Sequence, residues 1–227
     1  MRNMFRNELE QIGEGLTEIS QMVNAAMTNA AQCLFDGSLE QAEQIIEADS
    51  EIDRRQISLD EHAIDIIARQ APVASDLRIL VAALRMSSSL ERMGDLARHV
   101  ALLVRLRYPE EVVAPELKTT IQEMAEIDVK ITGLLEKLLD TRDLNIRKEL
   151  SELKERMDEL HLSVFTDLNS GNWTPSTKQT MDSILLSRYL ERISDHAVSI
   201  AAKVSYLETG EWRSGHLVPE HDETEKK

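Results

Sequence analysis

The chain is written twice. The block Glu91-Arg92-Met93-Gly94-Asp95 returns 100 residues later as Glu191-Arg192-Ile193-Ser194-Asp195, and the likeness continues through ERMGDLARHVA and ERISDHAVSIA. A fainter echo links Glu47…Ile52-Asp53 with Glu152…Met157-Asp158 at an offset of 105, so one connection differs by a few residues. The same apolar and charged positions recur in the same order, so whatever the first half folds into, the second half folds into as well.

Both copies of the block lie inside stretches that read as helix. Ala, Leu, Ile, Met, Glu and Arg dominate, with only 8 Gly, 5 Pro and 4% aromatic residues, which favours an all-helical protein with an aliphatic core. Breakers fall at a regular rhythm. Asp36-Gly37-Ser38 separates two periodic stretches, and Ser38 with Gln41 forms a capping-box pattern. Pro72 ends the second stretch, and Ser75 is placed as N-cap of the third. Pro109 and Pro115 bracket a connection, Thr141 to Asp143 makes a weaker break, and Thr174-Pro175 reads as N-cap and first helical residue of the last helix. The result is six helices, at about 4–35, 39–70, 75–108, 116–140, 144–169 and 176–208. Their short connections imply two tandem, pseudo-symmetric antiparallel three-helix bundles, 1–110 and 115–209, followed by a polar, disordered tail at 210–227.

A net charge of −15 argues against direct nucleic-acid binding, since phosphates would be repelled over most of the surface. The single cysteine, Cys33, excludes an internal disulfide framework and suits a reducing compartment. MRNMFRNELE has no apolar core of a secretory signal, and the longest apolar runs, such as Ile79 to Leu84, are too short to span a bilayer. The expectation is a soluble cytoplasmic protein, peripheral to a membrane at most.

Residues four apart on a helix share a face, so each Glu-Arg-x-x-Asp block aims two carboxylates in one direction. The third helix carries an apolar seam of Leu77, Val81, Leu84, Ser88, Glu91, Asp95, Arg98 and Leu102, and the sixth one of Met181, Ile184, Arg188, Glu191, Asp195, Val198 and Ala202. Both blocks are thus expected to face the bundle core. The second helix adds Asp49, on the line of Ile45, Ile52, Gln56 and Ala63, with Asp53 beside it. Two carboxylates about 5 Å apart repel by roughly 3 kcal/mol at an effective dielectric near 20. Such a cluster needs protonation, an arginine partner or a metal cation. Arg92, Arg98, Arg188 and Arg192 are available for pairing. Oxygen ligands alone suit Mg, Mn or Fe, and His99, four residues beyond Asp95, adds Fe or Zn. The bland alternative for each pair is solvated surface charge. Arg78, Arg85, Arg92 and His99 also form a basic line at heptad spacing, either a solvated face or a docking strip for an acidic partner or phosphate.

These residues resemble a known family. Arg69-Gln-Ala-Pro-Val-Ala-Ser-Asp-Leu-Arg78 with Leu90-Glu-Arg-Met-Gly-Asp-Leu-Ala-Arg-His99 resembles the first signature of the PhoU family of phosphate-uptake regulators, and Arg188-Tyr-Leu-Glu-Arg-Ile-Ser-Asp-His-Ala-Val198 resembles the second. The resemblance spans residues 1–208. It implies two similar three-helix bundles and a cytoplasmic negative regulator of phosphate uptake and the phosphate-starvation response. It also implies two partners, a phosphate ABC transporter ATPase and a sensor histidine kinase. Some members hold multinuclear divalent or trivalent metal on E(D)-x-x-x-D motifs. Carried onto this chain, the first set is Asp49, Asp53, Glu91 and Asp95, with His99 as a weaker addition, and the second is Asp158, Glu191 and Asp195. The chain departs from the pattern where Lys154 stands in the place of Asp49, and where His99 and Ser199 replace a frequent Asn. An ammonium in a metal site repels the cation, so the first set is expected to be the metal site if only one is.

The reading that follows is a non-enzymatic adaptor with no catalytic residues; exposed helical faces make a homodimer plausible. The alternative is a carboxylate-bridged di-iron bundle enzyme or metal store, which calls for Glu-x-x-His on two helices. Asp158-x-x-His161 is the one near match. A histidine phosphotransfer bundle would need an exposed His with a supporting Lys, for which His196 with Lys203 is a poor fit.

Overall fold

The computed structural model describes residues 2–171 and 173–210. The tail expected beyond Gly210 lies outside the described residues. Among the described residues there are six α-helices and one short 3-10 turn: α1 (Arg2–Asp36), α2 (Leu39–Gln70), α3 (Ala74–Arg107), the turn Pro115–Leu117, α4 (Lys118–Thr141), α5 (Ile146–Leu168) and α6 (Thr177–Thr209). None among the described residues is long and apolar enough to cross a membrane.

The helix ends follow local chemistry. Ser38 caps α2 by accepting from the Gln41 N–H, and α2 stops at Ala71 in the left-handed region, whose N–H donates to the Ile67 carbonyl. Two caps fall elsewhere than the sequence suggests. Helix α3 begins one residue before Ser75, after Val73 and without a side-chain cap; Ser75 Oγ instead accepts from Arg78 Nη2 at 3.2 Å. Thr174 Oγ1 donates to Glu116 Oε1 at 2.9 Å, and capping of α6 passes to Ser176, which forms a reciprocal capping box with Gln179. Such a box satisfies two N–H groups that the first helical turn cannot.

Helices α1, α2 and α3 pack together, as do α4, α5 and α6, and the halves join through α1 on α4 and α3 on α6. A ring α1–α3–α6–α4 results, with α2 outside the first pair and α5 outside the second. One continuous aliphatic core runs through it, from Ile12, Ile19 and Met27 to Leu190, Ile193 and Ile200. Asn24 of α1 clamps α4, donating to Glu136 and accepting from Thr132 Oγ1, both at 2.9 Å.

Helices α3 and α6 run antiparallel. His99 lies against Tyr189 with ring centroids 5.2 Å apart. Further along, Arg107 grips Asp182 with Nε at 2.5 Å and Nη2 at 2.7 Å. Because α3 is packed against α1, α2 and α6, it buries more than one stripe. Its core positions are Leu80, Ala83, Leu90, Met93, Ala97 and Val100, while Leu77, Val81 and Ser88 of the expected seam are exposed. Glu91 and Asp95 therefore lie on the flank of the core, half-buried, where α3 meets α2.

Candidate functional site

In the first bundle, α2 and α3 bring Asp49, Asp53, Glu91 and Asp95 into mutual electrostatic contact. Close helix approach makes this possible. A Cβ on Gly94 would lie 2.9 Å from Ile52 Cδ1 and 3.4 Å from Asp49 Oδ1, so a bare α-carbon lets α2 press onto α3 at the level of the acids. Asp49 is only 8% exposed. Arg98 bridges the helices, its Nε 2.7 Å from Asp49 Oδ2 and its Nη2 on Asp95. Arg92 approaches Asp95 at 3.2 Å and Glu91 at 3.4 Å.

The pKa shifts express this competition. Burial raises Asp49, with Asp53 and Asp95 adding and Arg98 opposing. Burial likewise raises Glu91, against the pull of Arg92 and with Asp95, Asp53 and Asp49 adding. Burial works upward on Asp95 too, but the Arg98 hydrogen bond and charge, helped by His99 and Arg92, carry it below the ordinary carboxylate range. One cluster thus holds acids shifted in opposite directions.

In the second bundle, Asp158 of α5 meets Glu191 and Asp195 of α6. Lys154 stands among them, its Nζ 3.0 Å from Asp195 Oδ1 and bonded to Asp158. Arg188 holds Glu191, and Arg192 lies 3.5 Å from Asp195. Burial works against the charge on Lys154, yet its hydrogen bonds to Asp158 and Asp195 raise its pKa. Burial first, then Asp195, raises Glu191.

A residue absent from the sequence-based set joins this cluster. Asp128 of α4 is fully buried at 0% exposure, and neither carboxylate oxygen has a hydrogen-bond partner. Burial pushes its pKa well above the usual range, with Lys154 opposing and Glu191 adding. The corresponding turn of α1, Glu18-Ile19-Ser20 beside Glu126-Ile127-Asp128, carries buried Ser20 instead. The one signal for it was position: Asp128 lies on the line of Ile121, Ala125, Ile131 and Leu135, where a carboxylate is out of place.

His99 and His161 are turned to other tasks. His99 packs on Tyr189 at the α3–α6 seam, within electrostatic range of Asp95. His161 sets Nδ1 2.5 Å from Ser187 Oγ, with its ring edge-on to Phe165. Among the described residues, no three His, Cys, Asp or Glu side chains converge as they stand on a point that could hold a metal ion. What converges instead is acid on a resident cation, Arg98 in one bundle and Lys154 in the other. The first set fits a hard cation by donor chemistry, since its ligands are all carboxylate oxygen and its resident cation is an arginine 28% exposed, able to turn outward. The second fits less well, because its ammonium is rooted on α5 with 16% exposure.

A family model described as the PhoU domain matches residues 16–104 and again 121–204. The chain is 34% identical to the phosphate-specific transport system accessory protein PhoU homolog 1 of Mycobacterium leprae, covering 96% of this chain and 99% of that one. It is also 34% identical to PhoU homolog 2 of Mycobacterium tuberculosis, over 92% of this chain and 99% of the relative. Among solved structures, PhoU from Pseudomonas aeruginosa superposes with a TM-score of 0.81 at 26% identity, covering 91% of this chain and 100% of that one. The regulatory protein PhoU from Streptococcus pneumoniae gives the same TM-score at 24% identity, with 92% and 99% covered, a likeness of fold.

Proposed function

Because this chain belongs to the PhoU family, we propose that it is an accessory regulator of phosphate-specific transport, acting in the cytoplasm as an adaptor. It represses phosphate uptake and the phosphate-starvation response when phosphate is plentiful, by contacting the transporter ATPase and a sensor histidine kinase. One observation carries the reading: both bundles align end to end with relatives named as accessory proteins of phosphate-specific transport. The thiol chemistry agrees with a non-catalytic role. Cys33 is buried, and burial, with Asp36 adding, pushes its thiol up to about 11, so little thiolate exists near neutrality. The test is a deletion strain carrying a reporter for phosphate-starvation genes. The reporter should switch on in high phosphate and be silenced by the restored gene; silence in the deletion strain would overturn the reading.

The metal belongs to the same proposal. Asp49, Asp53, Glu91 and Asp95 take a divalent or trivalent hard cation when Arg98 turns out of the cluster, and the cation serves structure by neutralising acids that otherwise repel one another. Asp158, Glu191 and Asp195 keep Lys154 in that place. Elemental analysis of the purified protein should show metal that Asp95→Ala removes and Asp195→Ala leaves. Metal retained in Asp95→Ala would refute the assignment.

A further inference from the structure

The basic line on α3 divides in two. Its lower half is occupied, since Arg92 is engaged by Glu91 and Asp95 and His99 by Tyr189. Its upper half borders a groove of about 440 Å³ between the start of α3 and the end of α6. Leu77, Val81 and Ala82 form an apolar floor, with Leu77 37% and Val81 38% exposed. Arg78, Arg85 and Lys203 form the rim.

None of these three cations makes an ion pair with an acid among the described residues. Arg78 donates to Ser75 Oγ, and Lys203 donates to Ser199 Oγ at 2.7 Å and to the Ser199 carbonyl. Burial, then the neighbouring charge of Arg85, lowers the pKa of Lys203. In a chain of net charge −15, an uncompensated cationic rim is the exception. The duplication supplies an internal control. At the other end of the α3–α6 pair, Lys178 stands for Arg78 and is paired with Glu110 at 2.5 Å. There Leu185 and Leu103 replace Arg85 and Lys203, and Asp182 replaces Ala82 and holds Arg107. The same surface is neutralised in one copy and left charged in the other.

We infer that this groove is a docking site for an acidic amphipathic segment of a partner protein, one that lays aliphatic side chains on Leu77 and Val81 and sets carboxylates against Arg78, Arg85 and Lys203. Arg78 and Arg85 are two helical turns apart, roughly 10 Å along the axis. They are too widely spaced to converge on one tetrahedral phosphate, and the floor between them is apolar. An anionic membrane is disfavoured because the rest of the protein is strongly acidic. A helix with Leu at i and i+4 and acids on either side matches both the spacing and the charge. The inference rests on the adaptor reading for the existence of a partner, whereas the groove can be tested without reference to phosphate signalling.

The probe is a fluorescent designed helical peptide with Leu at i and i+4 and flanking Glu, titrated into the full chain by anisotropy. Binding should weaken about tenfold in Arg85→Glu and in Lys203→Glu, fall with added salt, and be unchanged in Lys178→Glu at the other end. A peptide with Lys in place of Glu should not bind. Each variant is checked by helical circular dichroism, and Arg85→Gln, which removes the charge without reversing it, should give an intermediate loss. The proposal is overturned by absence of binding to the acidic peptide, by binding indifferent to Arg85 and Lys203, or by competition from inorganic phosphate at equal potency. Two other occupants would also overturn it: a second copy, if Arg85→Glu changes the oligomeric state, and the chain's own end, if truncation after Gly210 tightens peptide binding.

Discussion

The first bundle and the second solve one electrostatic problem with different residues. Each gathers four carboxylates with one cation bridging two helices among them and further arginines alongside, but the parts are redistributed. Where the first has Asp49 on α2, the second has Lys154 on α5; where the first has Ser20 on α1, the second has Asp128 on α4; and Arg98 on α3 answers to Val198 on α6. An acid has moved from the outer helix to an inner one, and the cation has moved the opposite way. The consequence is a difference in solvent access. Both cations bridge acids on two helices, but the Arg98 side chain is 28% exposed and that of Lys154 16%. On the proposed reading the first cluster exchanges its arginine for a metal cation, whereas the second carries a built-in ammonium.

The sharpest test of this asymmetry lies where the bundles meet. Arg107 and Asp182 form an ion pair at one end of the α3–α6 contact, and the matching positions at the other end are Leu207 and Ala82. The Asp182 side chain is 3% exposed, so Arg107→Ala leaves a buried, unpaired carboxylate. The expected loss is roughly 3 kcal/mol, about 10 °C in melting temperature for a chain of this size. Arg107→Leu combined with Asp182→Ala writes the combination at one end of the α3–α6 contact into the other and should restore most of that loss. Calorimetry on the three proteins decides it; a double variant as unstable as the single would mean the two ends are not interchangeable.

The sequence made the helices and their tandem arrangement readable because the breakers are few and the acid blocks occur twice. It misplaced the caps at Ser75 and Thr174 for a local reason. In each case the hydroxyl had another partner, Arg78 or the distant Glu116, that no pattern within the turn announces. The seam of α3 came out shifted because that helix is packed on three neighbours, and a single apolar stripe is the signature of a helix with one buried face. Gathering Asp49, Asp53, Glu91 and Asp95 needed only helical spacing and an adjacent helix, so that set was legible. Asp128 was not, since a lone acid without an echo in the other half offers no motif.

Asp128 gives the next test. Burial raises its folded-state pKa above the unfolded value near 3.8, so the folded chain holds that proton more tightly than the unfolded chain does. Its titration takes nothing from stability below the unfolded pKa, and stability falls as pH rises from there toward the folded-state pKa. Asp128→Ser, which installs the first bundle's residue, should therefore gain on the parent between about pH 4.5 and 7.5. The gain expected from removing a buried, unsatisfied carboxyl is roughly 1–3 kcal/mol at the upper end. Urea denaturation across that range measures it, and a gap independent of pH would show that Asp128 is ionised throughout.

The smallest effect is expected at Gly94, whose counterpart Ser194 donates to the Glu191 carbonyl at 2.7 Å. Gly94→Ser recovers about 1 kcal/mol of helix propensity or less but sets a Cβ 2.9 Å from Ile52 Cδ1. That atom is the end of a side chain that can turn, so the two contributions nearly cancel and stability should change by less than about 1 kcal/mol. The second bundle has Met157 in the place of Ile52. Gly94→Ser with Ile52→Met should thus be more stable than Gly94→Ser alone, because Met also removes the branched Cγ2, which would lie 3.3 Å from the new Cβ, and yields more readily than isoleucine. Metal content separates packing from chemistry. The Cβ also comes within 3.4 Å of Asp49 Oδ1, so a stable Gly94→Ser protein that has lost its metal would place the close approach of α2 and α3 in the service of the acids. Unchanged metal content would assign the glycine to packing alone.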